Sequence, residues 1–155
     1  MLTTRKAFGI TRFSTGFPVT IQQTRGDISL TGDSYWQYQP DIVGRVVIQD
    51  ARKPGPNGPN TYFLPDAFAS APLGTFGTAN RRFFHGPGII NTDFGLSKRT
   101  AITESIGFEI RAEFFNIFNH TQFSQPDGDF SSELFGVVTN ARDPRIGQVS
   151  AKFYW

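Results

Sequence analysis

The chain has 155 residues, a formal charge of +2 and a mean hydropathy of −0.28, values too polar for a helical membrane protein. Aromatic residues reach 15%, with 17 Phe, alongside 16 Gly and 10 Pro, a composition that favours strands and turns over helices. There is no Cys, which excludes disulfides, thiolate zinc sites and Cys nucleophiles, and no Lys/Arg run marks a nucleic-acid partner.

The N-terminal stretch MLTTRKAFGITRF has no apolar h-region of a secretory leader, and no segment reaches the ~18–20 apolar residues of a spanning helix. From about Lys6 to Gln22 the residues alternate, but in two phases. Phe8 and Ile10 share one phase, whereas Phe13, Thr15, Phe17, Val19 and Ile21 share the other. That change predicts a β-bulge near Thr11–Arg12, with fraying at Pro18. Residues of about 24–87 read as a long loop, because ARKPGPNGPN blocks any regular element.

Residues 89–99 predict a second strand, with Ile90, Thr92, Phe94 and Leu96 alternating against Asn91, Asp93, Gly95 and Ser97. A short turn is expected over Arg99–Thr103. Residues 104–115, ESIGFEIRAEFF, place Ile106, Phe108, Ile110, Ala112 and Phe114 on one face, and Glu109, Arg111 and Glu113 on the other. A helix would put Gly107 in its interior at a cost of about 1 kcal/mol, so the strand is preferred. Opposite charges in a row suit a wet interior where they pair across strands. Phe114, Phe115, Phe118 and Phe123 are expected to cluster as an aromatic girdle. About 122–145 is a second long loop. In the last segment, GQVSAKFYW, Val149, Ala151, Phe153 and Trp155 alternate with Gln148, Ser150, Lys152 and Tyr154, a strand to the final residue.

Four strands with long, short and long connections form the pattern of outer-membrane barrels, where turns are periplasmic and long loops extracellular. The expected fold class is all-β: antiparallel up-and-down strands in the pattern of a transmembrane β-barrel. The lipid-facing set is then Phe94, Leu96, Ile106, Phe108, Ile110 and Phe114. The lumen-facing polar ladder is Asp93, Glu109, Arg111, Glu113 and Lys152. Four strands cannot close a barrel, since bacterial barrels have at least ~8, so residues 1–155 are a fragment of one, or oligomerise, or form a soluble sheet.

Other chemistry has weaker support. Asp127, Asp129 and Glu133 could bind Ca²⁺, but their spacing completes no loop motif, and a solvated turn is preferred. His85 and His120 flank strand ends without a carboxylate-rich motif. Glu109 and Glu113 could resemble a glycosidase pair, yet Arg111 between them favours a structural charge ladder. Asn119-His120-Thr121 matches a glycosylation pattern that arises commonly by chance. No catalytic residue, cofactor or metal is assigned, and the chain is not expected to be an enzyme.

The segments SGFPVT, HGPGIINTDFGLSKRT, RAEFFNIFNHTQF and ARDPRIGQVSAKFYW resemble the last strands of Oar-like TonB-dependent receptors, and the resemblance covers nearly the whole chain. It implies the C-terminal part of a large outer-membrane barrel with an N-terminal plug, which imports large or scarce nutrients with energy passed on by TonB. It also implies that Val149, Ala151, Phe153 and Trp155 form the signal read by the barrel-assembly machinery. Partners would be outer-membrane lipid, that machinery, the remaining barrel and plug, and TonB only through an N-terminal part. With no leader and no plug in this sequence, the expectation is a truncated or split gene whose product does not transport alone. The alternative weighed against it is a soluble or surface β-sheet binding or adhesion module.

Overall fold

A computed structural model describes residues 3–24, 26–32, 38–55, 58–80, 82 and 84–155. In chain order the strands are β1 (Thr3–Ser14), β2 (Pro18–Val19), β3 (Asp41–Ile42), β4 (Phe68–Ala69), β5 (Phe84–His85), β6 (Ile89–Ala101), β7 (Gly107–Phe115) and β8 (Ile146–Tyr154), with one 3₁₀ turn at Pro65–Ala67. The fold is all-β and antiparallel. It divides into two compact units.

The first unit comprises Met1–Ser14, Ile89–Gln122 and Arg142–Trp155. It contains one four-stranded sheet in the order β1-β6-β7-β8. The β1–β6 register is unbroken from Thr3 opposite Thr100 to Ser14 opposite Ile89, so the bulge expected at Thr11–Arg12 is absent. The phase change is real but has another cause. Phe8 and Ile10 lie on the same face as Asp93, Ser97 and Arg99, and Phe8 fits there because Gly95, its cross-strand partner, has no side chain. A Cβ at Gly95 would lie 2.3 Å from the Phe8 ring.

The β6–β7 turn falls at Ile102–Ile106, three residues later than the sequence suggests. It is closed by the Ile102 and Thr103 amides donating to the Ile106 carbonyl, and by the Ile106 amide donating to Thr103 Oγ1. Ile106 therefore belongs to the turn and not to the apolar face of β7. The last strand stops at Tyr154, one residue short of the expected end, and Trp155 is 91% exposed.

Strands of 12 and 13 residues in β1 and β6 span about 40 Å, or roughly 28 Å once tilted as barrel strands are. Among the described residues, Ile89 is the one buried hydrophobic of this sheet unit. A sheet with an apolar face and no core must bury that face against something else.

The second unit, Thr15–Gly88 with Phe123–Ala141, takes in most of the two predicted loops, and also Thr15–Gln22, which the alternation assigns to the first strand but which leaves the sheet after Ser14. It has little regular structure, as the Pro/Gly spacing dictates, yet it has a hydrophobic core of Val19, Ile21, Phe63, Ala67, Phe68, Ala79 and Phe135. Phe63 is fully buried and meets Phe84 and Phe135 edge-on at 5.0 Å each and Phe68 at 5.9 Å. Phe135 also meets Phe68 at 5.3 Å and Phe130 at 5.4 Å, all in the edge-to-face geometry that ring quadrupoles favour. Gly136, at φ 83°, brings its carbonyl to the Tyr62 and Phe63 amides, and a Cβ there would lie 2.5 Å from the Phe63 carbonyl oxygen. These connections are thus folded bodies and not open loops.

Candidate functional site

In an antiparallel sheet, residues directly opposite share a face, so the register sorts every side chain of the first unit. One face carries Phe13, Ile90, Thr92, Phe94, Leu96, Phe108, Ile110, Ala112, Phe114, Val149, Ala151 and Phe153. The other carries Lys6, Arg12, Asn91, Asp93, Ser97, Arg99, Glu109, Arg111, Glu113, Gln148, Ser150, Lys152 and Tyr154. Asp93, Glu109, Arg111, Glu113 and Lys152, predicted as a ladder, are therefore on one face. Phe94, Leu96, Phe108, Ile110 and Phe114 share the opposite one with Val149, Ala151 and Phe153. Ile106 does not join them.

The polar face is organised around Arg111. Its guanidinium bridges Glu109 at 3.2 Å and Glu113 at 3.7 Å. The second oxygen of Glu109 accepts from Tyr154 Oη at 2.7 Å, and that of Glu113 from Gln148 Nε2 at 2.6 Å. Each carboxylate is thus held on both oxygens, which fits a charge ladder better than a general acid–base pair. Arg99 and Lys152 flank the Tyr154 ring at 4.5 and 4.9 Å. Two shallow clefts lie here. One of about 310 Å³ is lined by Lys6, Phe8, Arg99, Glu109 and Arg111, and one of about 370 Å³ by Glu109, Arg111, Ser150, Lys152 and Tyr154.

At the far end of the sheet, side-chain amides take over from the ladder. Asn116 and Asn119 adopt positive φ (52° and 51°), which Asn tolerates better than most residues. The Asn116 side chain accepts from the His120 amide and donates to the His120 carbonyl, both at 3.0 Å. The Gln122 side chain brackets β6 by accepting from the Ile90 amide at 3.0 Å and donating to the Ile90 carbonyl. Asp93 Oδ1 accepts from Asn91 Nδ2 and the Asn116 amide, while Asn119 Oδ1 accepts from the Arg145 amide. The run FNIFNHTQ is therefore a clasp that finishes strands β6 and β7. Gln122 reads as loop from sequence alone, and the density of amides between Asn116 and Gln122 is the signal that it is not.

The expected aromatic girdle dissolves. Phe114 and Phe115 point to opposite faces, Phe118 is 77% exposed in the clasp turn, and Phe123 belongs to the other unit, under the Arg52 guanidinium at 5.5 Å. Consecutive strand residues must alternate, so adjacent Phe side chains cannot form one band.

In the second unit, Asp129 accepts from the Thr24 hydroxyl and from the Thr24 and Ser131 amides, and Asp127 accepts from the Asp129 amide. Burial raises the Asp129 pKa, but those hydrogen bonds outweigh it and hold the carboxyl below its ordinary value. These are turn-stabilising bonds, and among the described residues no acidic or histidine cluster has metal-ligand geometry. His85 lies in β5, where its carbonyl accepts from Tyr62 Oη at 3.0 Å, and His120 lies in the clasp of the other unit.

A family profile described as "Outer membrane beta barrel domain" matches residues 6–148. No curated protein and no solved structure matches the chain.

Proposed function

Because this chain belongs to the outer membrane beta barrel domain family, we propose that it forms the C-terminal wall segment of an Oar-like TonB-dependent receptor. The observation supporting its orientation is the sheet itself, which has one apolar face, one charged face and almost no core. The apolar face meets lipid and the Arg111-centred face meets the wet lumen. The Ile102–Ile106 turn is periplasmic, and the folded connections are extracellular. Val149, Ala151, Phe153 and Trp155 act as the assembly signal. The plug and the TonB-contacting segment come from elsewhere in the receptor, which takes up large or scarce nutrients. No catalytic role is proposed.

The lack of Cys makes single-cysteine labelling straightforward. Spin labels at Leu96, Ile110 and Val149 are expected to collide with oxygen, and labels at Ser97, Arg111 and Ser150 with a water-soluble nickel chelate. Equal nickel access on both faces refutes the membrane orientation. The receptor reading is tested by the DNA upstream of the Met1 codon. A reading frame that continues, or resumes after a frameshift, into further alternating strands and a plug is expected. A promoter and ribosome-binding site with no barrel sequence nearby would instead support a free-standing β-sheet binding module.

A further inference from the structure

The apolar face contains one rung that does not fit it. Arg5 of β1 stands directly opposite Lys98 of β6, both exposed, with Ile110 and Ala151 completing the rung. Like charges directly opposite each other repel, and a cation on a lipid face is costly away from the headgroups. No Asp or Glu lies anywhere on this face of the four strands, and among the described residues neither cation has an ion-pair partner. The rung on the turn side holds the Phe108–Phe153 ring pair, 4.7 Å apart, with Thr3 and Thr100. The rung on the other side is Ala7, Leu96, Ala112 and Val149. Two cations near the short-turn end, between an aromatic pair and an aliphatic band, lie at a depth where long basic side chains reach a headgroup layer.

We propose that Arg5 and Lys98 together bind the phosphate of an anionic glycerophospholipid in the leaflet at the Ile102–Ile106 turn. The phosphate oxygens accept from the Arg5 guanidinium and the Lys98 ammonium at once, which turns a repulsive pair into a clamp. The acyl chains then run along Leu96, Ile110 and Val149. This site rests on the reading that the apolar face meets lipid, and the test separates the two.

The full chain, with Trp36→Phe and Trp155→Phe, receives one reporter, Ile110→Trp, beside Lys98 on this face. It is inserted in phosphatidylcholine bilayers containing brominated phosphatidylcholine or brominated phosphatidylglycerol. Quenching by the zwitterionic lipid is expected, with a preference for the anionic lipid of roughly fivefold or more. The preference should fall toward unity in Arg5→Gln/Lys98→Gln, and should survive Lys152→Gln on the opposite face. Quenching without anionic preference, or a preference unchanged in the double variant, overturns the lipid site alone. No quenching by either lipid overturns the membrane orientation and the site with it. Leu96→Trp, one rung away on the same face, repeats the measurement should the first reporter impair insertion.

Discussion

Phe63→Ala tests whether the long connections are a folded body. Phe63 is 0% exposed and touches Phe68, Phe84 and Phe135. Truncating a buried Phe costs about 3–5 kcal/mol, the range depending on how far neighbours collapse. Here Phe68 and Phe135 already touch each other at 5.3 Å, so they cannot both move into the space without separating. A value of about 4 kcal/mol follows, a large share of the ~5–15 kcal/mol that holds a domain together. It corresponds to roughly a thousandfold rise in the open population of this unit. Hydrogen exchange read by mass spectrometry, on the chain in detergent, reports it by segment. Peptides over 61–69 and 130–138 should lose protection by about that factor where exchange follows unit opening. Peptides from β6 and β7 should change little. Phe63→Leu, which retains most of the volume, should cost only about 1–1.5 kcal/mol. If the wild-type 61–69 amides exchange at unprotected rates, or Phe63→Ala leaves them unchanged, the connections have no such core.

Other perturbations follow from single contacts. Gly136→Ala combines positive φ with a 2.5 Å approach to the Phe63 carbonyl oxygen, so it should destabilise the same unit by at least about 2 kcal/mol in denaturant unfolding. The nearest atoms to a Cβ at Gly95 all belong to the Phe8 ring, so most of the cost of Gly95→Ala should disappear in a Phe8→Ala background, a non-additivity that a double-mutant cycle in a lipid-refolding assay measures directly. Gln122→Ala strips both bonds from the Ile90 backbone and should raise exchange at Ile90 and Asn91 by about 1–3 kcal/mol of local stability. The Asp129 carboxyl is held below its ordinary pKa, so its contribution is complete above the unfolded value of about 3.9 and is lost as pH falls through the lower folded value. Unfolding of the second unit, titrated from pH 6 to 2, should therefore steepen below about pH 4, and Asp129→Asn should reduce that slope.

The sheet was legible because alternation is a strong local signal wherever one face is apolar. Ile90 to Leu96, Phe108 to Phe114 and Val149 to Phe153 all keep their predicted phase. The errors arose where a local pattern has a non-local explanation. Phe8 sits on the polar face because Gly95, far along the chain, leaves it room. Ile106 keeps the phase of β7 but is taken by the turn, whose bonds depend on Thr103. The core of the second unit is not legible because its members beyond Val19 and Ile21, from Phe63 to Phe135, follow no period. The clasp resembles a family motif in sequence, and only its hydrogen bonds reveal why those amides are there.

The way the second unit is stapled bears on how quickly the sheet can zip up. Pairing Ser14 with Ile89 across an open chain would cost about 3 kcal/mol of closure entropy relative to a tight turn. Within the second unit, Pro18 already pairs with His85, and the Gly86 amide donates to the Phe17 carbonyl at 2.9 Å. At the other connection, Ser124 donates to Asn140 and Phe123 bridges Ala141. Once those stems form, β1 meets β6, and β7 meets β8, as neighbours only a few residues from a closed junction. The slow search between distant segments becomes two hairpin closures, each starting at the stem and running toward the opposite end of the strands.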